Sequence, residues 1–177
     1  GGLTLFHETG EFGLKALAPV VTMGDKIRVA GKITEKDNLK IITSSNLVSH
    51  SIISSSNPLP TPFKVTLSEI ALRGEQYESC LIKVENLIMT SDGDLTFRES
   101  KIYQVTDITD KANTVVIRIG LPADTHMDGM AIYETPVTFE GVLSQSSSCT
   151  TCGYQLTPVL QNDLRFAPVG IFNQSTG

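Results

Sequence analysis

Apolar and polar side chains alternate over residues 24–34, GDKIRVAGKIT, with Ile27, Val29 and Ile33 in phase and Gly31 among them. Residues 135–145, TPVTFEGVLSQ, repeat the arrangement with Val137, Phe139 and Leu143 around Gly141. A period of two marks a half-buried β-strand, and a mid-strand glycine marks a sharp bend or a close backbone approach. Two copies of one pattern predict two related β-units.

The flanking segments extend this reading. Residues 3–6 predict a short strand and residues 11–22 an irregular stretch. After the first glycine-centred strand, Lys36, Asp37 and Asn38 supply a tight turn, and residues 39–43, LKIIT, return as its hairpin partner. A further strand is expected over residues 46–53. Pro58, Pro60 and Pro62 hold the following stretch extended, so residues 54–62 read as a semi-rigid linker.

The second unit opens on Thr66-Leu67-Ser68-Glu69, a capping-box pattern that predicts one short helix through Leu72, ended by Gly74. Residues 78–89 form the longest strand candidate, with Cys80, Ile82 and Val84 facing the core and Leu81, Lys83 and Glu85 on the opposite face. Turns at 91–94 and 109–113 flank residues 95–97 and 101–106, which read as two strands or one strand with a bulge, and a further strand is expected over 114–119. An excursion over 122–133 precedes the second glycine-centred strand. Strands over 153–159 and 162–166 close the unit.

These elements predict an all-β chain. Residues 63–167 have about five strands with the rhythm of a small Greek-key barrel. Residues 1–53 match only its later part: 3–6 align with 115–119, the two glycine-centred strands align, and 39–43 align with 154–157. The first unit is therefore expected to lack two N-terminal strands, with unpaired edges that natural proteins cover. Upstream sequence or another copy would cover them by strand addition. Leu3, Leu5, Phe6 and Ile41 are the expected edge residues. The tail from 168 to 177 reads first as a linker toward a further domain, and Ile171 and Phe172 make it a second candidate as strand donor.

Composition narrows the function classes. The chain has 177 residues, 40% apolar and 19% charged, enough apolar surface for a core. No apolar run nears the ~20 residues of a membrane span, and no basic-then-apolar segment opens the chain as a signal peptide would. Gly1-Gly2 as a start is expected of a processed product or a fragment. The net charge of −5 and the absence of Trp count against a nucleic-acid partner.

Three cysteines are present. Cys80 alternates with core positions and reads as a small buried side chain. Cys149 and Cys152, in a Ser/Thr-rich loop, are expected to form a local disulfide in an oxidising compartment, with free thiols as the alternative. One C-x-x-C pair supplies too few ligands for a zinc knuckle and does not open a helix as a redox motif would.

Catalytic chemistry has little to work with. His7, His50 and His126 have no nucleophile motif beside them, and no Gly-rich phosphate loop precedes a helix. Asp124, His126 and Asp128 are the best metal candidates, although a solvated loop is the simpler reading. Asp92-Gly93-Asp94 reads as a turn, lacking the spacing of a calcium loop. No catalytic residue, metal or cofactor is expected.

The runs LTLFHETGEFGLKAL, GDKIRVAGKITEKDNLKIIT, KVTLSEI with GEQYESCLIKVENLIM, and FEGVLSQ with GYQLTPVLQNDLRF resemble the OB-like repeat of large secreted and surface proteins of the Bacteroidetes and related bacteria. The resemblance implies OB-like barrels, and with the strand count above the chain is expected to form tandem OB-like Greek-key β-barrels, the first incomplete at its N-terminus. It also implies a non-catalytic extracellular or cell-surface module; the open edge makes other copies of itself or upstream domains the expected partners. The family usually has an arginine where this chain has Val159, which removes an anionic contact from the comparison. A binding module attached to a secreted enzyme is the alternative, with glycan favoured over nucleic acid as ligand.

Overall fold

A computed structural model describes residues 22–36, 38–99, 101–112, 114–118, 127–145, 153–158 and 160–168. The described residues are mostly β, as the alternation predicts, with one short α-helix among them. Residues 54–62 carry no regular element beyond the end of a strand at Ser54, as expected of a proline-rich stretch.

The described residues of the first part hold four strands: β1 (Lys26–Gly31), β2 (Thr34–Lys36), β3 (Leu39–Ile41) and β4 (Leu47–Ser54). The predicted hairpin forms between β2 and β3, in register Thr34 to Ile41, with Asn38 in the left-handed region at φ 66° in its turn. β1 takes β4 as its antiparallel partner instead, Ile27 opposite Ile52 and Val29 opposite His50. Sequence alternation could not assign that pairing, because it reports which face is apolar and not which neighbour supplies the hydrogen bonds.

The second part contains β5 (Phe63–Lys64), α1 (Leu67–Arg73), β6 (Leu81–Thr90), β7 (Ile102–Asp107), β8 (Thr114–Arg118), β9 (Val137–Gln145), β10 (Tyr154–Thr157) and β11 (Leu164–Phe166). The ladders run from β6 to β7, β7 to β8, β8 to β10 and β10 to β9, and β9 pairs again with β6. All are antiparallel except β8 with β10, which is parallel. β5 joins β6 in parallel, and β11 joins the first half of β9.

β6 serves two neighbours by bending. Residues from Leu81 to Val84, and Leu87 after a register shift, lie against β9, and those from Leu87 to Thr90 lie against β7. Asn86 occupies the left-handed region at φ 59° in that break. Its carbonyl accepts the Ile108 amide at 3.0 Å. A bulge advances the pleat by one residue, so buried positions change from Ile82 and Val84 to Leu87 and Met89. The face assignment from sequence holds before Asn86 and changes phase after it.

Side chains from outside the main strands also enter this core. Leu67 and Ile70 of α1 are fully buried. The helix starts through the predicted capping box: the Thr66 amide donates to Glu69 Oε2 at 2.8 Å and the Glu69 amide to Thr66 Oγ1 at 3.1 Å. Gly74 follows the helix because a Cβ there would overlap the Tyr154 ring; its backbone is right-handed, so close approach and not a left-handed cap sets the residue. Beyond the end of β6, Phe97 and Met127 enter the core from loops. Those loops are tied by reciprocal amides, Phe97 to the Met130 carbonyl at 2.8 Å and Gly129 to the Phe97 carbonyl at 2.9 Å. Where a strand was expected over 95–97, a single Thr96–Ala131 bridge forms.

Candidate interaction edge

The two parts bury their apolar side chains unequally. Among the described residues the continuous core runs from Val65 to Leu164 and includes Tyr103, Phe139, Leu143 and Leu156. Ile41 is the one buried apolar residue described before Val65, at 7% exposure. Val48, Ile52 and Ile53 of β4 remain exposed, as does Ile33. A two-stranded ribbon is marginal in water unless something covers its apolar face.

β1 marks where covering would occur. Its alternation turns Ile27 and Val29 half inward and Lys26, Arg28 and Ala30 outward. Among the described residues it has a ladder on one side only, to β4. A Cβ on Gly31 would come within 2.7 Å of the Asn46 carbonyl oxygen, and one on Gly141 within 2.9 Å of the Thr157 carbonyl oxygen. Each glycine therefore admits a neighbouring backbone that a side chain would push away.

One polar clamp joins the β2–β3 hairpin to the second part. The Lys40 amide donates to Glu78 Oε1 at 3.1 Å, and Lys40 Nζ lies 3.6 Å from Glu75 Oε2. Glu75 also accepts from the Tyr154 hydroxyl at 3.1 Å. Burial, then that carboxylate, pushes the Tyr154 phenol up to about 12.

A further polar cluster lies within the second part. Asp94 accepts from Lys101 Nζ, from the Tyr103 hydroxyl at 2.9 Å and from Arg98 Nε at 3.3 Å. The lysine first, and the phenol second, hold its carboxyl down to about 2. The Tyr103 oxygen also accepts the Arg98 amide at 3.2 Å, so the ring is buried with its hydroxyl satisfied. This network fixes the turn after β6, where Asp92 and Gly93 have left-handed backbones.

Ile41 of the expected edge residues is placed on β3, buried and opposite Thr34. Leu3, Leu5, Phe6, Ile171 and Phe172 lie outside the described residues, as do Cys149 and Cys152. So do Asp124 and His126; Asp128 is described, and its carboxylate accepts the Glu99 amide at 2.8 Å. Among the described residues no group of three His, Cys, Asp or Glu side chains could hold a metal ion. No described helix is long and apolar enough to cross a membrane. Cys80 is half-buried against the core, and burial raises its thiol pKa.

Sequence reasoning missed the Lys40 clamp and the exposed face of β1 and β4. The clamp has no local signal, since its partners are about 35–38 residues apart. The exposed face had one: Lys26 and Arg28 alternate with the apolar set. The chain matches no protein-family model, no curated protein and no solved structure.

Proposed function

We propose that this chain is a non-catalytic structural and interaction module of an extracellular bacterial surface protein, with a first unit completed by a β-strand from another copy or an upstream segment. The observation that carries the reading is the unequal core: β1 has one described ladder and β4 exposes Val48, Ile52 and Ile53, whereas the second part is densely packed. An unpaired strand edge beside uncovered apolar side chains is the physical situation that strand addition relieves.

The reading includes tandem OB-like barrels. Its support in the second part is the circuit of five strands, β6–β7–β8–β10–β9 and back to β6, with its one parallel pair. Its support in the first part is element order. Taken together as one interrupted strand, β1 and β2, followed by β3, a 3-10 turn at Ser44–Asn46 and β4, follow the order of β9, β10, a 3-10 turn at Gln161–Asp163 and β11. In both, the last strand pairs antiparallel with the first. The proposed boundaries are 1–53, 54–62, 63–167 and 168–177.

Light scattering on the intact chain and on a chain ended after Ala167 tests the completion. An assembly that dissociates on truncation identifies the tail as donor, and one that persists assigns the donor to another segment. A monomer in both forms, with β1 amides as protected as those of β9, would overturn the proposal.

A further inference from the structure

The outward face of the β1–β4 ribbon is cationic in an anionic protein. Residues 22–62 contain Lys26, Arg28, Lys32, Lys36 and Lys40 against Asp25, Glu35 and Asp37, while residues 63–177 have eight Lys and Arg against fourteen Asp and Glu. Lys26, Arg28 and Lys32 are exposed, and none has an ion-pair partner among the described residues. By contrast, Lys64 and Lys83 pair with Glu85, and Arg165 pairs with Glu140.

The neighbouring strand adds hydroxyls and no acid. Ser51 stands across from Arg28 and Ser49 across from Ala30, both exposed. Asp25, at the strand's start, is turned onto Thr22, whose amide it accepts at 2.9 Å. Glu35 stands across from Lys40 on the other hairpin. Two cations two residues apart on a strand face lie roughly 6–7 Å apart, a row that meets charges repeated along an extended polymer.

We infer that this face binds an acidic polysaccharide, the cations meeting carboxylate or sulfate groups and Ser49 and Ser51 meeting sugar hydroxyls. The ribbon favours this class over nucleic acid because residues 22–62 contain no Phe, Tyr or Trp on which bases could stack. It favours an anionic over a neutral glycan for the same reason, since charge is the attraction it offers. The inference does not depend on how the β1 edge is completed, because the side chains concerned stand on the face and not along the edge.

Electrophoresis of the intact chain through gels containing polygalacturonate, dextran sulfate, neutral dextran or duplex DNA tests it. Retardation is expected in the two acidic glycans and not in dextran, and it should vanish at about 0.5 M salt, where exposed charges are screened. The double variant Lys26→Glu and Arg28→Glu should weaken retardation about tenfold, whereas Lys111→Glu, an exposed change in the second part, should not. Circular dichroism confirms that each variant is folded, and Lys26→Gln with Arg28→Gln serves if the reversed charges disturb the ribbon. Mobility unchanged by either acidic glycan, equal retardation of the charge-altered chain, or preference for duplex DNA would overturn the inference.

Discussion

At the scale of single residues, Asp94 and Tyr103 are coupled with opposite consequences for pH. The Asp94 carboxyl is depressed to about 2, so its contribution to stability is present above about pH 4 and is lost as the pH falls toward 2. Tyr103 is pushed up to about 12 by burial and then by Asp94, so its contribution is present below about pH 10 and lost as the pH rises through 12. Asp94→Asn should therefore lower the thermal midpoint at pH 7 and differ less from the parent as the pH approaches 2. Tyr103→Phe should cost about 1–3 kcal/mol at neutral pH by urea unfolding, because the Asp94 carboxylate loses a buried donor. An acid limb for Asp94→Asn parallel to the parent's would show that the network is dispensable.

At the scale of elements, β6 and α1 show what a sequence can and cannot disclose. The capping box was legible at Thr66 and Glu69 because it is a local arrangement, and Thr66→Ala should cost ~1 kcal/mol in unfolding free energy. The alternation of Ile82 and Val84 was legible for the same reason. The bulge at Asn86 was not, since it lies within the ladder to a distant strand, β9, just before β7 also pairs with β6. Asparagine tolerates the left-handed backbone better than most residues, so Asn86→Ala should cost about 1–2 kcal/mol while Asn86→Gly stays within ~0.5 kcal/mol. Equal losses in the two variants would mean that the side chain, and not the backbone conformation, holds the bend. Partner choice escaped the sequence at β1 too: its neighbour β4 lies beyond the β2–β3 hairpin, and face periodicity does not report that neighbour. The exposed row of Lys26 and Arg28 was visible in the alternation, yet its meaning depended on finding serines, and no acid, on the strand beside it.

At the scale of the whole molecule, the two parts differ in self-sufficiency. Phe139 is fully buried in β9, which takes ladders from β6, β10 and β11, and Phe139→Ala should cost about 3–5 kcal/mol of the second part's stability. Ile41 has no comparable surroundings among the described residues of the first part, so that part should contribute little to the main cooperative transition. Native-state amide hydrogen exchange on the intact chain measures this difference residue by residue. Strong protection is expected over β6, β7, β9 and β10 in dilute solution, with β1 and β4 exchanging far faster until assembly slows them. Protection over Lys26–Gly31 equal to that over Val137–Gln145 in a monomer would contradict it.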